Sequence, residues 1–451
     1  MTTTTTTPKK TPVKAAIASW VGTTLEYYDF AVYGTAAALV LNDLFFPPEL
    51  PEGIRVLLSM ATLAVGYVVR PLGAFILGPL GDRFGRKFVM MLTLFGIGVC
   101  TFIIGCLPTY EQIGVLAPIL LVLIRLIQGL SVSGEQASAI SMSLEHAHDH
   151  RRAFTASFVT SGSASGGLLA TAVFIPFAAL PEEALLSWGW RVPFWLSAIV
   201  VVVAYLIRRN LEEPPAFIEA QALKAELPPM KQVLRFHWLT IIRVAACAII
   251  AGVSYLFATF SVAFATTGYG LDKATMLWVP VLASLLALLY TPLAGYVADI
   301  IGRKTVFIVG AIGAGVTTVP YLWAITQGNW PLIFVLGILC NGFFYSTANA
   351  AWPAFFAEMF PNRVRVSGLA VGTQIGFAIA GAIGPVASTA LAGEDLQNWI
   401  GPALLGLGLM FVAVISALTA RETRRYTLHQ VDEVQQSQRE RDAVTASIRI
   451  P

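Results

Sequence analysis

Long apolar segments recur along the chain, and they constrain its fold more than any other feature. A helix needs about 20 mostly apolar residues to cross the hydrocarbon core of a bilayer. The composition agrees, because 56% of the residues are hydrophobic and only 12% are charged, whereas soluble domains carry about 25% charged residues. The sequence therefore predicts an all-α membrane protein with twelve transmembrane helices. We place these near residues 15–41, 54–79, 88–107, 113–142, 153–179, 190–208, 239–266, 273–297, 304–326, 330–357, 365–392 and 398–419.

The positions of lysine and arginine predict the orientation of these helices. Cytoplasmic loops of membrane proteins are enriched in both residues. With the N-terminus in the cytoplasm, only Arg55, Arg191 and Lys273 lie in outer segments, and Arg70 and Arg125 lie within helices. All others of the 29 lysines and arginines then lie on the cytoplasmic side. We therefore expect a multi-pass protein of the cytoplasmic membrane with both termini inside the cell.

Two motifs occur twice in the same order, which indicates an internal repeat. "GPLGDRFGRK" (78–87) and "GYVADIIGRK" (295–304) share the pattern G-x-x-x-D-x-x-G-R-K. "EHAHDHRR" (145–152) and "EMFPNRVR" (358–365) share a glutamate and an arginine separated by six residues. Parallel repeats of this kind build many transporters. We predict a polar N-terminus over 1–14, a six-helix half over 15–208, a cytoplasmic linker over 209–238, a second half over 239–420 and a cytoplasmic tail over 421–451.

Five stretches resemble a known group of membrane proteins. "GPLGDRFGRK" resembles the loop motif of the major facilitator superfamily, and "RLIQGLSVSGE" (125–135) resembles its helix-four motif R-x-x-Q-G-x-x-x-G. "LEYYDFAVYG", "VRPLGAFILGPLGDRFGRK" and "SWGWRVPFWLS" resemble the metabolite:proton symporter family, whose members import shikimate, α-ketoglutarate, citrate, proline or betaine. The resemblance covers about 15–420. It implies the major facilitator fold, with two pseudo-symmetric six-helix halves. The chain departs from the family at Ser133, where glycine is usual.

Two acids interrupt the first predicted helix. Glu26 and Asp29 lie on one helical face with Tyr33, although an aspartate at the bilayer centre costs roughly 2.5–3.5 kcal/mol on insertion scales. A carboxyl removed from water favours its protonated form, so such a group can take up and release a proton. We expect proton coupling at Asp29, Glu26 or Glu135 of helix four. A structural ion pair or a helix–helix hydrogen bond is the alternative for each.

Arg125 is the only clear cation that the sequence places deep in the bundle. Its planar guanidinium can hold a carboxylate through two parallel hydrogen bonds. It could bind a substrate carboxylate, pair with Asp29 in the empty site, or form a permanent structural pair. The resemblance implies that helices seven and ten face helices one and four. The predicted substrate-binding residues are Arg125, Tyr33, Gln128, Ser133 and Gln136, together with Tyr255, Asn341, Tyr345, Asn349 and Trp352.

The repeated loop motifs carry acids as well as basic residues, and topology signals alone explain only the basic ones. In the family, such clusters latch the cytoplasmic side while the site opens outward, so the resemblance implies a gate. Its predicted residues are Asp82, Arg83, Arg86, Glu145 and Arg152 in the first half and Asp299, Arg303, Glu358 and Arg365 in the second.

The sequence contains no phosphate-binding loop, nucleophilic triad or nucleotide fingerprint. We therefore expect no enzyme activity, no cofactor, no metal and no nucleic-acid partner. The expected function is proton-coupled import of a small polar metabolite, most simply an organic acid, by a monomer in the lipid bilayer. Import of a zwitterionic solute of the proline or betaine type, proton-driven export, and sensing without transport remain alternatives.

Overall fold

The computed structural model of the protein describes residues 12–73, 77, 86–132, 135–199, 201–202, 229–426 and 430. These residues are helical apart from short turns, and they include no strand. Nine of the described helices are long and apolar enough to cross a membrane. The predicted all-α membrane class is therefore confirmed.

The helices follow the predicted spans, and the described boundaries lie within four residues of their predicted positions, except that α2 is described only as far as Gly73 of the predicted 54–79. We number the helices α1–α12 along the chain. They are α1 Pro12–Leu39, α2 Glu52–Gly73, α3 Arg86–Cys106, α4 in two described parts (Leu116–Ser131 and Glu135–His146), α5 Arg152–Ala178, α6 from Arg191–Trp195 onward, α7 Trp238–Gly268, α8 Lys273–Ile301, α9 Arg303–Thr326, α10 Trp330–Ala357, α11 Arg365–Ala392 and α12 Ile400–Thr419.

The predicted linker and tail are only partly described. Residues 203–228 and most of the tail lie outside the described residues, and Pro229–Phe236 forms a short helix before α7. We call the end of the bundle where α12 meets residues 420–426 the tail end.

Local chemistry explains where several helices begin and end. Asp272 precedes α8 and accepts hydrogen bonds from the Thr275 hydroxyl (2.6 Å) and amide (2.7 Å), which hold the pKa of the Asp272 carboxyl below its usual range. Asn329 caps α10 in the same way through the amide of Leu332. Gly302 separates α8 from α9 with a φ of 120°, a conformation that disfavours side-chain-bearing residues.

Small residues allow the helices to pack closely. α5 packs along both α1 and α8, so it joins α1–α6 to α7–α12, and α11 lies against α2. A Cβ at Gly166 of α5 would lie 2.5 Å from the carbonyl oxygen of Thr24 on α1, and one at Gly295 of α8 would lie 2.6 Å from the Ser157 hydroxyl on α5. Glycine at helix contacts permits this approach in membranes, while large apolar side chains such as Leu289 (70% exposed) and Phe411 (62%) point outward.

We predict that Gly166→Leu destabilises the protein, because the new side chain would overlap the α1 backbone. Overpacking of this kind costs about 1–3 kcal/mol, so the midpoint of thermal unfolding in detergent should fall by several degrees. Gly408→Leu on α12 is the control, since no atom lies within 4 Å of a Cβ at that position. Equal midpoints for the two variants would contradict the prediction.

Candidate functional site

Arg125 is fully buried on α4 and is anchored to the backbone of α2. Its Nη2 donates to the carbonyl oxygen of Leu63 at 3.1 Å, and its Nε lies 3.5 Å from that of Thr62. Its Nη1 donates to Oε1 of Gln128 at 2.5 Å. All of these acceptors are neutral. They hold the guanidinium in place, but none of them neutralises its positive charge.

Two glycines bring α2 close enough for these bonds. A Cβ at Gly66 would lie 2.7 Å from Cζ of Arg125, and a Cβ at Gly129 would overlap the carbonyl oxygen of Gly66. Any side chain at either position would displace the guanidinium or separate α2 from α4.

Tyr33 fixes the guanidinium from α1. The Cζ atom of Arg125 lies 4.0 Å from the centre of the Tyr33 ring and 5.1 Å from that of Phe30, a favourable cation–π arrangement. The Tyr33 hydroxyl lies 2.5 Å from that of Thr62. Tyr33 and Gln128, two of the predicted substrate-binding residues, thus contact Arg125 directly.

Asp29 lies near Arg125 but forms no ion pair with it in the described part of the chain. The Asp29 carboxyl is 2% exposed and hydrogen-bonds to the Thr101 hydroxyl of α3, while its Oδ1 has no partner. Thr101 accepts from Nε2 of Gln128 at 2.8 Å. Direct pairing of Arg125 with Asp29 in the empty site, one of the alternatives from the sequence, is not formed in this conformation, because neutral groups hold the Arg125 nitrogens. A chain of hydrogen bonds through Thr101 and Gln128 connects the two residues instead.

Arg70 of α2 is a second deep cation, so the expectation that Arg125 is the only one was wrong. Arg70 is 4% exposed, and its Cζ lies 4.0 Å from the centre of the Phe30 ring and 4.3 Å from that of Tyr67. Its Nε has no hydrogen-bond partner. The sequence placed Arg70 within a span, in the stretch "VRPLGA", but gave no sign that it points inward.

Four tyrosines gather beside Arg70, and we call them the tyrosine cluster: Tyr27, Tyr67, Tyr255 and Tyr345. The rings of Tyr67 and Tyr255 are 4.8 Å apart, which brings α2 and α7 together. Tyr345 of α10 interacts electrostatically with Tyr27 and Tyr67, and the Tyr27 hydroxyl accepts from Nε2 of Gln136 at 3.4 Å. Hydroxyl groups from both halves of the bundle therefore meet at one place.

The polar face predicted on α10 is partly satisfied within the helix. Nε1 of Trp352 donates to Oδ1 of Asn349 at 2.8 Å, whereas the buried Oδ1 of Asn341 has no partner. Tyr345, Asn349 and Trp352 line a cavity of about 10 Å³, room for one water molecule. A wider, π-helical turn at Ile338–Tyr345 precedes Asn349 and Trp352 in α10, and another at Leu256–Phe260 follows Tyr255 in α7. Such turns frequently mark functional sites.

The other predicted site residues are only partly described. Glu26 is buried, with 8% exposure, on the same face of α1 as Asp29. Ser133 lies outside the described residues, and Glu135 begins the second part of α4 without a described side chain.

Four predicted gating residues form one buried cluster, which we call the tail-end network: Arg152, Asp299, Arg303 and Glu358. Glu358 of α10 lies 3.2 Å from Nη1 of Arg152 and 3.5 Å from Nε of Arg303, and Arg303 Nη2 lies 3.0 Å from Asp299. We expected Arg152 to join a cluster of the first half, but it crosses to Glu358 of the second half. The network therefore joins the two halves.

The start of α5 strengthens this link. The amides of Ala153 and Phe154 donate to the Asp299 carboxylate at 3.1 and 2.9 Å. A carboxylate at a helix N-terminus is stabilised by the unsatisfied amides and the helix dipole. Asp299 thus fastens α8 to α5.

The tail contributes to the network, which the sequence did not indicate. Glu422 accepts from the amides of Arg303 and Lys304 at 3.2 and 2.9 Å. The Thr423 hydroxyl hydrogen-bonds to Glu358, and the carbonyl oxygen of Tyr426 accepts from Nη2 of Arg152 at 2.5 Å.

The structure gives less detail for the other predicted gating residues. Arg365 is buried and donates to Oδ1 of Asn362 at 3.1 Å. Asp82 and Arg83 lie outside the described residues, and the side chains of Arg86 and Glu145 are not described.

Comparisons with known proteins agree with this architecture. The family "Sugar (and other) transporter" matches residues 14–228, and "Major Facilitator Superfamily" matches residues 244–447. The shikimate transporter of Escherichia coli (strain K12) is 33% identical over 91% of this chain and 95% of its own length. The glycine betaine/proline/ectoine/pipecolic acid transporter of Dickeya dadantii (strain 3937) is 32% identical over 90% of this chain and 82% of its own.

A solved structure shares the fold. The proton:xylose symporter XylE bound to 6-bromo-6-deoxy-D-glucose superposes with a TM-score of 0.72 at 19% identity, covering 94% of this chain and 99% of that structure. This agreement confirms the predicted fold of two six-helix halves.

We predict that Arg152→Gln strongly destabilises the protein, because it removes one of the two arginines that neutralise the buried Glu358 carboxylate. Breaking a buried pair costs about 3–5 kcal/mol, and a double-mutant cycle with Glu358→Gln should show strong coupling in thermal unfolding. Arg55→Gln is the control, since its pair with Asp43 is partly exposed and such pairs contribute about 0–1 kcal/mol. Additive effects of the two network substitutions would exclude a direct pair.

Proposed function

The chain belongs to the major facilitator superfamily, a group of transporters rather than enzymes, and on that premise we propose that it imports a small organic acid together with protons. The halves 15–208 and 239–420 would rock about a site near mid-membrane. The tail end would face the cytoplasm, with both termini inside the cell, and the tail-end network would hold that side closed while the site opens outward.

The observation that carries this proposal is the charge of Arg125. Its nitrogens are held by neutral acceptors and not by an acid among the described residues. A buried charge without a counter-ion is costly, and a substrate carboxylate would supply the missing negative charge. An organic acid is therefore the substrate class that best fits the site.

The hydrogen-bond chain supports coupling to a proton at Asp29. The Thr101 hydroxyl has one proton, which can go to the Asp29 carboxylate or to the carbonyl oxygen of Ile97 at 3.0 Å. Protonation of Asp29 removes a negative charge near Arg125 and frees Thr101 to bond Ile97. The site then attracts an anion more strongly, so proton binding favours substrate binding. Glu26 and Glu135 remain the alternative proton sites.

A zwitterionic solute is the second candidate, and the tyrosine cluster favours it. Aromatic faces recognise quaternary ammonium groups, and one relative is a transporter of betaine and proline. However, the buried guanidinium groups of Arg70 and Arg125 would repel a cationic group placed between them. The relative that is a shikimate transporter is consistent with an acid.

We predict that proteoliposomes containing the protein accumulate an organic acid when an inward proton gradient is imposed, and that a protonophore abolishes this accumulation. Asp29→Asn should lose gradient-driven accumulation but retain exchange of substrate across the membrane, because the substituted site cannot release a proton. Asp43→Asn, at a partly exposed pair, is the control. Gradient-driven efflux would identify an exporter, and binding without uptake would identify a sensor.

We also predict that Arg125→Lys weakens binding of the acid by about 10–100-fold. Lysine keeps the charge but lacks the planar guanidinium that donates two parallel hydrogen bonds. The loss of one hydrogen bond to a charged group costs about 1.5–3 kcal/mol. Isothermal titration of the purified transporter measures the change, with Arg55→Lys as control. Unchanged affinity would show that Arg125 does not bind the carboxylate through two bonds.

A further inference from the structure

Arg70 is a buried cation without a partner for its charge. Its side chain is 4% exposed, and it takes part in no ion pair or hydrogen bond among the described residues. Its contacts are with aromatic rings, at 4.0 Å for Phe30 and 4.3 Å for Tyr67. These contacts orient the guanidinium but leave its nitrogens free to donate.

Two other buried arginines of the chain, Arg152 and Arg303, do not share this condition. Arg152 and Arg303 in the tail-end network are as deeply buried as Arg70, and each lies within 3.5 Å of a carboxylate. The central site is different, because neither Arg70 nor Arg125 has an acid at that distance in the described chain. Since an unpaired buried charge is destabilising, two such charges side by side call for an anionic ligand.

The two guanidinium groups share one ring. Arg70 and Arg125 place Cζ atoms 4.0 Å and 5.1 Å from the centre of the Phe30 ring, so the two Cζ atoms are at most about 9 Å apart, the sum of those distances. A charge-assisted hydrogen bond is about 2.8 Å long. If each guanidinium forms one such bond to the ligand, the remaining distance between the two anionic groups can be spanned only by a short linker.

We propose that Arg70 is a second anion-binding residue of the central site, and that the preferred substrate is a short acid with two anionic groups, one held by Arg125 and the other by Arg70. This inference rests on the proposed function and adds a specificity-determining residue to it. A ligand group on Arg70 also lies beside Tyr67, whose ring packs on Tyr255 of α7 at 4.8 Å. Substrate held there bridges the contact between the two halves.

The charges of the site are consistent with such a ligand. Among the described side chains, the acids on α1 at this site are Asp29 and Glu26, and the other ionisable groups beside the arginines include tyrosine hydroxyls and Cys100. With Asp29 and Glu26 protonated, the two arginines carry two positive charges, which a dianion neutralises. With both acids ionised, two negative charges on α1 offset those of the arginines from beyond ion-pair distance, so the dianion binds less tightly and is released.

Matched acids test the proposal. The purified full-length transporter is titrated with succinate against butyrate and with glutarate against valerate, pairs that differ by one carboxylate at constant carbon number. We expect the diacid to bind at least tenfold more tightly in each pair. Arg70→Gln should reduce diacid binding at least tenfold and change monoacid binding less than threefold, whereas Arg125→Gln should weaken both. Arg70→Lys, which keeps the charge, should retain part of the preference.

The controls separate this proposal from the proposed function. Thermal unfolding and size-exclusion profiles establish that Arg70→Gln is folded, and Arg55→Gln controls for loss of a surface charge. Equal binding of diacid and monoacid by the unsubstituted protein, or equal loss of both in Arg70→Gln, overturns the role of Arg70. If a monoacid is still accumulated with protons, the proposed function stands; if no acid is accumulated with protons, the proposed function fails, whatever the binding preference.

Discussion

The cost of removing charge from water determines how this structure is organised. A charged side chain inside a bilayer is expensive, so such residues face the bundle interior, where they pair or bind a ligand. The buried arginines of this chain are stabilised in two different ways. At the tail end, Arg152 and Arg303 are compensated by Asp299 and Glu358 within 3.5 Å. In the centre, Arg70 and Arg125 are held by rings and neutral oxygens. The first arrangement joins the two halves at one end of the bundle, and the second leaves two positive charges without an acid at ion-pair distance among the described residues.

Close helix packing makes the central arrangement possible. Arg125 reaches the carbonyl oxygen of Leu63 only because Gly66 and Gly129 let α2 and α4 approach. Phe30 and Tyr33 of α1 then cover the guanidinium groups and exclude water from them. A low local dielectric strengthens each remaining electrostatic interaction, so the glycines contribute to the chemistry of the site as well as to its packing.

The sequence predicted the helices well and the contacts between them less well. Helix positions follow from the thickness of the bilayer, which each apolar segment must match, so spans such as Trp330–Ala357 were located to the residue. The burial of Asp29 and Arg125 in the bundle followed from the cost of charge in a membrane helix. The inward direction of Arg70, and the separation of Asp29 from Arg125 by Thr101 and Gln128, depend on how helices rotate against each other. The binding of the tail to the network likewise depends on contacts between distant segments, which local sequence patterns do not encode.

The two halves contribute different chemistry to the site. Asp29, Glu26, Arg70 and Arg125 all belong to α1, α2 and α4, whereas α7 and α10 supply neutral groups such as Tyr255, Tyr345 and Asn349. In the proposed cycle, a proton and an anion would therefore both be bound mainly by one half. The other half would approach or withdraw through neutral contacts such as Tyr67–Tyr255, and this movement would expose no new charge at the site. Rocking of the halves would then cost little electrostatic energy in the centre, and the charged barrier to opening would lie at the tail-end network, where Arg152 would have to leave Glu358 and the carbonyl oxygen of Tyr426.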